Sequence, residues 1–113
     1  MKIIENNISL NELKELAKAG FGNMVKAVVD ISRKIMAVDG ELHADEEALL
    51  LTDGSKNEDL WGINLYPELS ADSWLEFDSM INLRPSHHNM SRSVDDPKTR
   101  EEIAAIVNKL VIR

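Results

Sequence analysis

The spacing of apolar residues changes several times along this chain, and each change predicts a new element. Residues 2–5 carry two adjacent isoleucines, Ile3 and Ile4, and predict a short edge strand. Over residues 9–20, Leu10, Leu13, Leu16 and Ala17 recur at helical spacing. Ser9 and Glu12 form a Ser-x-x-Glu capping box, Ile8 and Leu13 occupy the staple positions, and Gly20 supplies the stop. At Val25 the period falls to two: Val25, Ala27, Val29 and Ile31 share one face while Lys26 and Asp30 occupy the other, which predicts a half-buried strand. "KIMAV" returns as its antiparallel partner after a turn at Ser32 and Arg33 that contains neither Gly nor Asn.

Residues 60–66, "LWGINLY", predict a further strand, with Gly62 marking a bulge or a close backbone approach. From Trp74 to Leu83, Leu75, Phe77, Ile81 and Leu83 alternate against Glu76, Asp78 and Asn82, as in a sheet wet on one side. Asp96 can cap and Pro97 start a last helix, along which Ile103, Ile106, Val107 and Leu110 recur at helical spacing. The resulting expectation is an α+β fold in the order β-α-β-β-α-β-β-α. Its antiparallel sheet is packed on one face by two or three helices, in a single domain spanning 1–113.

The central "DGELHADEEALLL" admits more than one reading. If extended, the period of two lines Asp39, Glu41, His43, Asp45 and Glu47 along one side, a donor set suited to Ca²⁺ or Mg²⁺. It is no EF-hand, since Ala44 stands where the loop needs glycine and Leu50 where it needs the bidentate glutamate. If helical, Asp45, Glu46 and Glu47 are first-turn acids at the positive end of the helix dipole, His43 or Asp45 caps, and Gly54 stops the helix. The helix is preferred on these capping rules. A hairpin through Asp53-Gly54, with "ALLLT" as a strand, is the third arrangement.

Charge sharpens the picture. Asp and Glu number 20 against 13 Lys and Arg, for a net −7, which argues against non-specific binding to nucleic acid. Residues 39–59 hold eight acids and only Lys56 as a base, so this window carries the whole excess. The acid-free "RPSHHNMSRS", 84–93, is its natural counterweight. Two sites follow as expectations. A divalent cation would sit on Glu41, His43, Asp45 and Glu47, joined by His87 or His88. An anion or other ligand would be held by a loop carrying Arg84, His87, His88 and Arg92, with Ser86 and Ser91 beside them.

Beyond that cation no cofactor is expected, because the Walker loop, the dinucleotide glycine fingerprint and the Gly-x-Ser-x-Gly elbow are all missing. The chain has no cysteine, which excludes thiolate chemistry and disulfides. "MKIIENNISL" lacks a signal-peptide core, and no run approaches the roughly 18 apolar residues of a membrane helix, so a cytoplasmic location without a membrane partner is expected. Trp74 and Met80, if opposite Leu75 and Phe77, would leave an apolar outer sheet face on which a homodimer could form.

The stretches "GELHADEEALLL", "DLWGINLYPE" and "SMINLRP" resemble a family of small single-domain prokaryotic proteins known as a domain of unknown function. The resemblance implies no activity, ligand or catalytic residue. The residues themselves favour a small binding or regulatory protein that self-associates and is not an enzyme. The alternative is a divalent-cation-binding protein or small metal-dependent enzyme built on the acidic 39–47 stretch.

Overall fold

Ser9 acts as its spacing predicts. In the computed structural model, which describes residues 1–113, its Oγ accepts the Glu12 N–H at 3.0 Å, and helix α1 runs Leu10–Ala19 before stopping at Gly20. The Glu12 carboxylate leaves the capping box open and pairs instead with Lys2 of strand β1 (Lys2–Ile4). Ile8–Ser9 (β2) pairs in parallel with Val111–Ile112 (β7), which follows helix α3 (Pro97–Leu110). The Asp96 side chain caps that last helix by accepting the Lys98 N–H.

The main sheet is antiparallel, in the order β1-β4-β3-β5-β6, with β3 at Val25–Asp30, β4 at Ile35–Val38, β5 at Leu60–Leu65 and β6 at Leu75–Glu76. Val25, Ala27 and Val29 point to the face covered by α1 and α3, where Leu13, Ile103, Val107 and Leu110 complete the larger core. Helix α2, His43–Thr52, lies on the opposite face and buries Leu50 against Val28, Ile35, Ala37 and Leu60. The α+β class and the antiparallel sheet are as the spacing predicts, and α2 adds a cover on the second face. Burying each such apolar side chain contributes about 1.5–3 kcal/mol, so Val28, on the polar side of the predicted alternation, ends fully buried, as does Asp30, whose carboxylate is satisfied by hydrogen bonds.

The β3–β4 turn has no glycine because Asp30 supports it. Its Oδ1 accepts the Ser32 and Arg33 N–H groups, each at 2.9 Å, its Oδ2 accepts the Ser55 hydroxyl at 2.6 Å, and Lys34 takes the left-handed conformation at φ 58°.

The predicted strand over 74–83 is cut to two residues, and Met80–Asn82 form a 3₁₀ turn. A side chain takes over the strand's role. Asn82 Oδ1 accepts the Gly62 N–H at 2.8 Å and its Nδ2 donates to the Gly62 carbonyl at 2.9 Å, so one amide occupies the position that a pairing backbone would have filled. Gly62 is required there, since a Cβ would lie 2.5 Å from Ser79 Cβ. Trp74 is buried in the larger core, which removes it from any outer apolar surface, while Met80 remains exposed. No helix is long and apolar enough to cross a membrane.

Candidate functional site

Helix α2 stops short of covering its sheet face. Its first residue, His43, places Nε2 2.8 Å from the Ile63 carbonyl oxygen; a carbonyl only accepts, so this nitrogen carries the proton and Nδ1 is the acceptor. Beyond this anchor the sheet continues past the start of α2 through one cross-strand row. Lys26 of β3 is paired with Asn64 of β5, and Asn64 with Glu76 of β6. Directly opposed residues of antiparallel strands share a face with Cβ atoms about 5 Å apart, so a cation, an amide and a carboxylate stand side by side where an apolar core would otherwise extend.

Around this row is a cleft of ≈ 510 Å³, lined also by Leu42, His43, Tyr66, Asp78, Met80 and Arg92. The polar groups form a connected set. Asn64 Nδ2 donates to Glu76 Oε1 at 2.8 Å and to the Asp78 carbonyl at 3.2 Å, the Tyr66 hydroxyl donates to the same Glu76 oxygen at 3.1 Å, and Arg92 Nε reaches Asp78 Oδ1 at 2.8 Å. Burial, then the Glu76 carboxylate, raises the Tyr66 pKa above the ordinary tyrosine value. Two features are left open. Asn64 is only 6% exposed and its Oδ1 has no hydrogen-bond partner, and Lys26 makes no ion pair, its ammonium standing 4.9 Å from the centre of the Phe21 ring.

Burial is also the largest influence on His43 and lowers its pKa below 6.5, an effect reinforced by the Lys26 charge and opposed by the bond to Ile63, the nearby Asn64 side chain and the Asp78 charge. The folded state therefore holds this imidazole neutral where the unfolded chain would protonate it, so its contribution to stability is present above about pH 6.5 and lost as pH falls below. In a side-chain NMR titration the His43 midpoint should fall under 6.5; a midpoint at or above the free-histidine value would contradict this account.

The two groups of residues expected from the sequence are redistributed. No group of three or more His, Asp or Glu side chains is placed to hold a metal ion. The period-two alignment of Glu41, His43, Asp45 and Glu47 requires an extended chain, whereas a helix turns about 200° over two residues and sends alternate side chains to opposite sides. Glu47 accepts from Asn57 at 3.1 Å, while Glu41 and Asp45 border a separate depression beside Asp39. In the basic loop, Arg84 is structural: Nη1 and Nη2 donate to the Asn57 and Leu60 carbonyls at 2.6 and 2.5 Å, and the guanidinium lies 4.6 Å from the Trp61 ring centre. His87 and His88 are exposed and do not border the cleft. His43 and Arg92, one from each expected set, are the two that the cleft brings together.

Lys26, Asn64, Tyr66, Glu76 and Asp78 escaped the sequence reading. The signal was Asn64, a polar residue within the otherwise apolar "LWGINLY". A larger cleft of ≈ 800 Å³ between α3 and the β1–β2 connection sets exposed Glu5, Lys34, Glu102 and Lys109 around Ile31, Ile106 and Leu110, and no polar group there is buried without a partner.

Comparison with known proteins agrees with the resemblance seen in the sequence: a family model described as "Protein of unknown function (DUF5674)" matches residues 2–110. No curated protein and no solved structure matches.

Proposed function

The chain belongs to the DUF5674 family, and from that premise we propose that it is a binding module that takes a small polar molecule into the cleft beyond the start of α2. The observation that carries this reading is the row Lys26–Asn64–Glu76: three hydrogen-bonding side chains in register across three strands, on the sheet face where the neighbouring Val28, Ala37 and Leu60 are buried under α2. Polar groups convergent in a concave site are the usual mark of a ligand pocket. Binding is favoured over catalysis because the cleft's imidazole, its serine hydroxyl and one of its carboxylates already have partners within the protein. His43 Nε2 donates to a backbone carbonyl, Ser79 Oγ accepts the Ile81 N–H, and Asp78 holds Arg92.

A screen of small polar compounds by backbone amide NMR tests the reading. Hits should perturb residues 24–26, 43–44, 64–66 and 76–78 together. Perturbations confined to the cleft of Glu5 and Lys109, or scattered over the surface, would reject it.

A further inference from the structure

Resting on that reading, we propose that the ligand is a small zwitterion, with its anionic group held by Lys26 and the first turn of α2 and its protonated amine held by Glu76.

The anionic end follows from donors that the fold leaves unused. Helix α2 begins after Leu42, whose side chain offers no cap, and the His43 and Ala44 N–H groups donate to nothing else in the protein. Unsatisfied first-turn amides carry the positive end of the helix dipole and favour an anion. Both residues border the cleft, and so does Lys26. The Lys26 ammonium is near enough to the His43 ring to act on it electrostatically, yet it has no carboxylate partner in a chain of net charge −7. A cation that lies over the Phe21 ring without a carboxylate partner, and that borders the same cleft as unfilled amides, is available to a carboxylate or phosphate.

The cationic end follows from the other side of the row. Glu76 uses Oε1 to accept from Asn64 and Tyr66, and Oε2 has no protein donor. Asp78 accepts Arg92 through Oδ1 and likewise leaves Oδ2 without a donor. Between the two ends lies Asn64, nine-tenths buried and close to the His43 ring, with Oδ1 accepting no well-formed hydrogen bond from the protein. A ligand that brought only an anion would leave these acceptors unanswered, and one that brought only an amine would leave Lys26 and the amides unanswered. Lys26 and Glu76 are two strand spacings apart, roughly 10 Å between backbones, and both side chains are long, so a compact molecule with its charges a few bonds apart can reach both.

The apolar rim agrees with a small ligand having a short carbon skeleton. Leu42 and Met80, at 56% and 62% exposure, flank the opening and can cover methylene groups once the charged ends are seated.

The test is a titration, followed by backbone amide NMR, with ω-amino carboxylates from glycine to 6-aminohexanoate. Butanoate and butylamine serve as singly charged controls. One member of the series should bind at least about tenfold more tightly than either control, shifting the His43, Ala44, Asn64 and Glu76 amides. Lys26→Gln and Glu76→Gln should each weaken it about tenfold while leaving distant resonances in place. Gln at 76 keeps the acceptor for Asn64 and Tyr66 and removes only the charge. If the controls bind at these amides as well as the zwitterions do, the ligand class is wrong and the cleft survives as a site. If no member shifts these amides up to roughly 10 mM, the zwitterion is rejected, and the cleft itself is rejected only if the wider screen of polar compounds also misses it.

Discussion

Replacing Glu46 by glutamine should stabilise this protein by about 2–3 kcal/mol at neutral pH. Glu46 lies on the inner side of α2 with no exposed surface; its Oε2 accepts the Gly40 N–H at 2.9 Å and its Oε1 has no partner. Burial pushes its pKa up to about 9 from the ordinary 4.5, outweighing the Gly40 bond that opposes the shift. The sign follows directly. Below about pH 4.5 both folded and unfolded chains carry the proton and there is no penalty, whereas between that value and about 9 only the unfolded chain releases it, so stability declines as pH rises. Glutamine keeps the acceptor for Gly40 and cannot ionise.

Urea midpoints at about pH 5, 7 and 9 should therefore fall with pH in the wild type more steeply than in E46Q, with the two proteins closest at the acid end. Parallel profiles would mean that Glu46 is ionised in the folded state and compensated there. Gly40 belongs to the same arrangement, since a Cβ at that position would lie 2.6 Å from Glu46 Cγ.

The second large effect runs the other way. Asn82→Ala should cost about 3–4 kcal/mol, because it strands a buried N–H and carbonyl of Gly62 and removes the bond to the Arg92 carbonyl. That is a large part of the roughly 5–15 kcal/mol that holds a domain of this size. Asn82→Asp separates the donor from the acceptor contribution. It keeps an acceptor for the Gly62 N–H but turns carboxylate oxygens toward two carbonyls, so at neutral pH it should be at least as damaging as alanine. Partial recovery near pH 4 is expected, where the protonated carboxyl can donate again. A loss below about 1 kcal/mol in the alanine variant would show that backbone or water replaces the amide without difficulty.

The central acidic window shows how far local reading extends. Its eight acids raised the question of what offsets them, and a helical 43–52 agrees with the first-turn acids Asp45 and Glu46. The offsets come from distant parts of the chain. Asp53 pairs with Arg33 at 2.7 Å, Arg84 stands in the field of Glu47, and Glu46 is neutral because it is buried. No spacing rule predicts which of three consecutive acids turns inward; that depends on where α2 lands on the sheet.

By itself the sequence determined the elements whose signals are local: the capped helices at 10–19 and 97–110 and the strands at 25–30, 35–38 and 60–65. Periodicity and capping act between residues a few positions apart, so they are written in the chain. The strand order, the face that α2 covers and the row Lys26–Asn64–Glu76 were decided only in three dimensions, since they join residues separated by up to 50 positions through contacts that form when the sheet does. Asn82 shows the same division. Its alternation with Ile81 and Leu83 predicted a strand that the structure replaces by a 3₁₀ turn, and that its side chain would stand in for the strand depended on Gly62 lying within hydrogen-bond reach.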